Sequence, residues 1–142
     1  MITPFTQDFK KGFWAALYEY LIVTMPVAIY VFLEASDEKG WNYLYCSPEW
    51  AIATIFLSFI SLSHYLTSVG KSGKQVFEPI IGIISIIILL IIIASTLNAK
   101  ISIDLDPGKD SDPAIFCRII LFIIATIIFF IFMTGAKLIK KT

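Results

Sequence analysis

Charged residues are scarce in this sequence, and so are the residue types that bind metals. Only 15% of its 142 residues are charged, whereas a soluble domain carries about 25%. It contains a single histidine and two widely separated cysteines, which do not supply the ligands of a zinc or haem site. These shortages argue against a soluble domain and against a metalloprotein.

The residue arrangements that catalysis requires are missing as well. The sequence has no nucleophile placed with a base and an acid, no phosphate-binding loop and no metal-ligand spacing. We therefore expect no enzymatic activity, no catalytic residues and no cofactor.

Apolar residues are abundant instead. They make up 58% of the chain, and the mean hydropathy is +0.84, more than a water-soluble core of this size could bury. Four apolar runs cover residues 12–33, 50–69, 76–97 and 113–136. Each is long enough to cross a bilayer, which takes roughly 20 helical residues, and lipid admits helices but not open strands. The sequence predicts an all-α integral membrane protein in which residues 1–142 form one up-down bundle of four transmembrane helices.

Lysines cluster at alternate ends of these runs and predict the orientation. The two loops on the other side carry eight of the acidic residues. The positive-inside rule places both termini and the 70–75 turn in the cytoplasm, and we expect a multi-pass protein of the bacterial inner membrane. Beyond Lys10 and Lys11, the lysines on this side form a predicted surface for a cytoplasmic protein partner: Lys71, Lys74, Lys137, Lys140 and Lys141.

Local signals indicate where the helices begin. Ser47 and Asp112 each precede a proline, as a capping residue precedes the first helical position, and Glu78 precedes Pro79 in the same way. Residues 3–9 (TPFTQDF), which come before the first run, are expected to form either a short interfacial helix or a disordered arm.

A stripe of small and hydroxyl-bearing residues runs along the second and third spans. Its members recur every three or four residues and so share one side of a helix: Thr54, Ser58, Ser61, Tyr65 and Ser68, then Gly82 and Ser85. The simplest interpretation is close helix packing with hydrogen bonds across the contact. The alternative is a water-lined path, within one copy or at an oligomer axis.

Ionisable residues inside the spans form a predicted intramembrane polar cluster. Glu19, His64 and Glu78 lie on three different helices, in the half of the membrane nearer the cytoplasm. Such residues are costly in lipid and suggest a functional site, although Glu19 and His64 could also pair as structural glue while Glu78 caps its helix. Arg118, at the opposite side, is expected to extend towards the acidic outer loops.

Cys46 and Cys117 both fall near the predicted outer side. An oxidising compartment there would permit a disulfide between them. Two buried thiols are the alternative.

A four-helix chain of this size with both termini inside resembles the membrane subunits of bacterial anti-phage defence systems of the Kiwa type. The resemblance is one of architecture over the whole chain and assigns no individual residue. It implies a cytoplasmic partner that binds nucleic acid, and no direct nucleic-acid binding by this chain.

Three functions follow as hypotheses. The first is a non-enzymatic membrane subunit that acts as anchor or sensor in a multi-protein complex, built as a homo-oligomer for which a tetramer is one candidate. The second is an oligomeric ion or proton channel. The third is an immunity protein that blocks a pore-forming toxin in the membrane.

The orientation can be tested by cysteine labelling in intact cells. With the native cysteines replaced, a cysteine introduced at Asp37 or Asp110 should react with a membrane-impermeant thiol reagent, whereas one at Lys140 should not, because lysine-rich ends stay inside. The opposite labelling pattern would show that the orientation is inverted.

Overall fold

The computed structural model describes residues 4–71, 78–104 and 112–139, and every regular element within them is helical. The elements are α1 (Pro4–Glu34), a π-helical turn (Ala35–Lys39), α2 (Tyr43–Cys46), α3 (Glu49–Lys71), α4 (Glu78–Asp104) and α5 (Asp112–Ile139). Four segments are long and apolar enough to cross a membrane: Thr6–Asp37, Glu49–Lys71, Gly82–Ser102 and Asp112–Gly135. The predicted all-α, four-helix membrane protein is confirmed.

The N-terminal arm is part of the first membrane helix. Helix α1 begins at Pro4, where a proline is well tolerated because the first helical N–H has no partner in the helix. Residues 4–9 therefore form neither a separate interfacial helix nor a disordered arm, and both expectations were wrong.

The connection from α1 to α3 is ordered by a glycine turn and an indole hydrogen bond. Gly40 has a φ of +77°, a left-handed conformation that glycine adopts without strain. The indole N–H of Trp50 donates to the carbonyl of Leu44 at 2.6 Å. This bond ties the short helix α2 to the first turn of α3.

Ser47 caps α3 as predicted. Its side-chain oxygen accepts the N–H of Glu49 at 3.3 Å, and the Glu49 carboxylate in turn accepts hydrogen bonds from the hydroxyls of Ser47 and Tyr43. A carboxylate in the first turn is favourable at the positive end of the helix dipole.

Helices α3 and α5 form the centre of the bundle. They make the most extensive contact among the described residues, with α1 packed against α5 and α3 on one side and α4 packed mainly against α3 on the other. Helices α1 and α4 do not touch within the described part of the chain. The bundle is therefore a flattened diamond in cross-section.

The apolar core lies where α1, α3 and α5 meet. Ala16 and Ala125 let the helices approach, and Leu57, Phe129 and Met133 fill the space between them, all five being fully buried. Aromatic rings surround this cluster, including Tyr20, Phe122 and Phe130. Side chains thus occupy the middle of the protomer.

Replacing Phe129 by alanine should destabilise the bundle. We expect the free energy of unfolding to fall by about 2 kcal/mol. This is less than the roughly 3–5 kcal/mol seen in water-soluble cores, because lipid also solvates the ring in the unfolded state. Reversible unfolding in mixed micelles measures it. Ile127→Ala is the matched control, since Ile127 faces outward two residues away; an equal loss in both variants would contradict this core assignment.

Candidate functional site

Two groups of polar side chains stand out in the spans, one near each end of the bundle. The first surrounds Arg118, which lies six residues after the start of α5 and is only 1% exposed. Its Nε donates to Asn98 Oδ1 at 2.9 Å, and its two terminal nitrogens donate to the carbonyl of Cys46 and to Ser102 Oγ. The side chain thus reaches the connection before α3, on the predicted outer side, and it is buried there among polar acceptors.

The neighbours of Arg118 explain why the guanidinium is buried. Asn98 and Ser102 lie one turn apart near the C-terminal end of α4, and Cys46 ends α2. The carbonyl end of a helix carries partial negative charge and favours a cation. A guanidinium presents donors in a planar fork, so one side chain can serve acceptors from several elements at once.

Asn98 completes this Arg118 cluster, defined as Cys46, Asn98, Ser102, Ala114 and Arg118. Its amide nitrogen donates to the carbonyl of Ala114 on α5 at 3.0 Å, while its oxygen accepts from Arg118. The cluster joins α4, α5 and the α2–α3 connection. Sequence reasoning missed Asn98 and Ser102, although their spacing of four residues at the end of an apolar run was a usable signal.

The α3 part of the polar stripe is buried, but its hydroxyls do not bond across helices. Thr54, Ser58 and Ser61 are buried; Thr54 donates to the carbonyl of Trp50 at 2.8 Å, and Ser61 donates to that of Leu57 at 2.7 Å. Among the described residues, the Ser58 hydroxyl has no partner. The small side chains of this part of the stripe therefore let α3 pack closely against its neighbours. The predicted hydrogen bonds across helices are not formed there.

Tyr65 and Ser68, at the end of the stripe nearer Lys71, are half-buried. Tyr65 stacks on Phe132 of α5 with ring centroids 4.9 Å apart, and Ser68 donates to the carbonyl of His64 at 2.7 Å. The aromatic contact of Tyr65 joins α3 to α5. The Ser68 hydroxyl bonds only within its own helix.

The α4 part of the stripe differs from the prediction. Gly82 is exposed, and a Cβ added there would meet nothing within 4 Å among the described residues, so it makes no close helix contact with them. Ser85 is half-buried. Gly82 precedes Asn98 by sixteen residues, which is about 160° around a helix of 3.6 residues per turn. Because Asn98 must face Arg118, Gly82 must face away.

The buried row of α4 is instead formed mainly by apolar residues. Ile88, Ile92, Ser95 and Ala99 recur every three or four residues on the inner side. The Ser95 hydroxyl, like that of Ser58, has no hydrogen-bond partner in the described ranges.

The second polar group is the contact between Glu19 of α1 and His64 of α3. His64 Nε2 lies 3.5 Å from Glu19 Oε2, and the two side chains are 44% and 39% exposed, respectively. Glu19 precedes Glu34 by fifteen residues, and His64 follows Glu49 by the same number. The pair lies about 22 Å from those helix ends and about 10 Å from Lys71 at 1.5 Å per residue.

This pair is poorly satisfied for its depth. The 3.5 Å separation exceeds the usual N–H···O range, and neither side chain has another polar contact among the described residues. A half-exposed polar pair within hydrocarbon costs free energy unless other polar groups meet it. The structure therefore brings together two of the three residues of the predicted polar cluster and leaves them facing the surroundings of the bundle.

Several other predicted positions fall partly outside the described residues. Glu78 and Lys137 lie within helix bounds, but their side chains are outside the described part. Three more lysines lie wholly outside it: Lys74, Lys140 and Lys141. Lys71 ends α3 and is exposed.

Cys46 and Cys117 are not joined by a disulfide. Cys117 is exposed on α5 and Cys46 is half-buried, so the alternative of two buried thiols was also wrong. Within the described ranges, no group of three His, Cys, Asp or Glu side chains could hold a metal ion.

No protein-family model, curated protein or solved structure matches the chain at a significant level. Its function must therefore be argued from its own residues.

The Arg118 cluster predicts that charge alone cannot replace the guanidinium. Arg118→Lys keeps the positive charge but cannot reach all three separate acceptors on α2 and α4, so we expect the free energy of unfolding to fall by about 2 kcal/mol. Reversible unfolding in mixed micelles measures this change. Lys100→Arg, the reverse exchange at an exposed position of α4, should change little. If Arg118→Lys were as stable as the unchanged protein, the planar guanidinium donors of Arg118 would not be needed.

Proposed function

We propose that this multi-pass membrane protein is a non-enzymatic subunit that anchors a multi-protein complex at the bacterial inner membrane. The Glu19–His64 contact carries this proposal. It leaves two polar side chains half-exposed on the outside of the bundle, at a depth where lipid offers no hydrogen-bonding groups.

A protein neighbour is the simplest way to satisfy such groups. Side chains that hydrogen-bond between membrane helices contribute about 0.6 kcal/mol on average, whereas a polar group left unpaired in an apolar medium costs roughly 2–7 kcal/mol. The free-energy difference favours association over exposure to acyl chains. A subunit that functions within an assembly gains from this arrangement, and a solitary protein does not.

The predicted cytoplasmic side offers a second contact. Its lysines are predicted to form a basic surface beside four helices that are long and apolar enough to cross a membrane. A basic surface attracts acidic partners, so we assign the cytoplasmic protein partner to this side. Anti-phage defence is one process in which such an anchor would serve, and that part of the proposal depends on the architectural resemblance alone.

A channel is the runner-up, and it would have to run between copies. Leu57, Phe129 and Met133 fill the place where α1, α3 and α5 meet, which argues against a water path there within one protomer. An oligomer axis lined by polar residues is compatible with the same exposed pair.

Co-purification separates the anchor from the channel. The full chain, isolated from native membranes in mild detergent, should retain a cytoplasmic protein in fixed proportion. The triple variant Lys71→Gln, Lys140→Gln and Lys141→Gln should lose most of it, because the attracting charges are gone. In planar bilayers the purified chain alone should conduct no ions.

The matched control changes three lysines on the other predicted side: Lys39→Gln, Lys100→Gln and Lys109→Gln. It should retain the partner. Lys10, Lys11, Lys74 and Lys137 stay in the test variant so that its orientation is preserved. Equal partner loss in both variants, or ion conductance by the chain alone, would overturn the anchor proposal.

A further inference from the structure

We infer that the occupant of the exposed polar surface is a second copy of this chain, docked through a face formed by Tyr18, Glu19 and Ile22 of α1 and Ser63, His64 and Thr67 of α3. This α1–α3 face is half-buried at the Glu19–His64 contact and exposed at the other four residues. The inference rests on the proposed function, in which the chain is part of an assembly, and it names the partner at this site.

The face has hydrogen-bonding capacity that one copy does not use. The Glu19 carboxylate can accept several hydrogen bonds and the imidazole has a second nitrogen, yet their mutual contact at 3.5 Å is the only polar side-chain contact that either makes among the described residues. The Ser63 and Thr67 hydroxyls, one turn apart on α3, are exposed beside it.

The remaining lipid-facing surface differs in composition. Helices α4 and α5 expose mainly isoleucine, leucine and phenylalanine, as at Ile86, Ile93 and Phe116, which acyl chains solvate well. The exposed Thr96 on α4 donates its hydroxyl to the carbonyl of Ile92 at 2.8 Å and is thereby satisfied. On the lipid-facing surface of the described residues, unused hydrogen-bonding groups are therefore concentrated on the α1–α3 face, whereas the unpartnered hydroxyls of Ser58 and Ser95 are buried.

A second copy supplies complementary groups at the correct depth. Two chains of the same orientation, related by a two-fold axis along the membrane normal, present the same surface to each other, so every residue meets the partner's face at its own level. Each carboxylate can then approach an imidazole of the other copy, and each imidazole a carboxylate. The small side chains Ser63 and Thr67 permit close approach of the two α3 helices.

Cross-linking in native membranes tests the geometry. With Cys46 and Cys117 replaced by alanine, Ser63→Cys and Thr67→Cys should each form a disulfide-linked dimer upon mild oxidation. Ile86→Cys is the matched control, because Ile86 follows Glu78 by eight residues and Ser63 precedes Lys71 by eight, which gives equal depth on a different face. It should remain monomeric.

Exchange of Glu19 and His64 tests the chemistry. Glu19→Gln and His64→Gln should each weaken dimerisation at least tenfold, measured by single-molecule photobleaching in supported bilayers. The double exchange Glu19→His with His64→Glu should restore most of the affinity, because the two-fold arrangement keeps unlike groups opposed. Retained dimerisation in both single variants, or no restoration by the exchange, would overturn the inferred role of the pair.

The outcomes distinguish this inference from the anchor proposal. If Ser63→Cys and Thr67→Cys fail to cross-link while the cytoplasmic protein still co-purifies, the second copy is not the occupant and the anchor stands. If the dimer forms but no cytoplasmic protein binds to the lysine surface, the face is a homodimer interface and the anchor proposal fails.

Discussion

Hydrocarbon offers no hydrogen bonds, so every polar group in a membrane span must find its partner within protein. The bundle meets this constraint in three ways. Arg118 is buried among three acceptors, two on α4 and one at the end of α2. Thr54 and Ser61 bond back to their own helix. Glu19 and His64 meet only each other and remain half-exposed, so the constraint is met incompletely at their surface, as it is for the buried Ser58 and Ser95 hydroxyls in the described part of the chain.

The buried arginine also determines how the helices are rotated. Asn98 and Ser102 must face Arg118, and this fixes which side of α4 points inward even though nearly every residue of that helix is apolar. The resulting inner row, with Ile88 and Ile92, packs mainly against α3. A specific polar contact thus selects one packing from several that would bury similar apolar area, a role that polar groups can play inside apolar cores.

The sequence predicted features that depend on one strong signal and missed those that depend on neighbours. Span number follows from the length of the apolar runs, and the buried side of α3 follows from hydroxyls at helical spacing. Helix α4 carries isoleucine and leucine on all sides, so its sequence does not show which side faces inward. Gly82 was therefore assigned to the wrong side. The outward reach of Arg118 was expected from its position near a helix end, but that position gave no sign of its acceptors on α4. The approach of Glu19 to His64 was predictable from equal depth, but their exposure was not, because it depends on how α1 packs against α3.

The two polar groups give the bundle unequal ends. At the predicted outer end, the Arg118 cluster joins α4, α5 and the α2–α3 connection, and Ser47 and Trp50 reinforce the same region. At the other end, α1 and α3 share a single long polar contact and one of the lesser helix contacts of the bundle. Helix α3 extends through both ends: its outer end is next to the Arg118 cluster, and its inner half leaves His64 half-exposed. An outer end rich in hydrogen bonds, together with an incompletely satisfied inner face, is the arrangement expected of a subunit that completes its hydrogen bonding upon assembly.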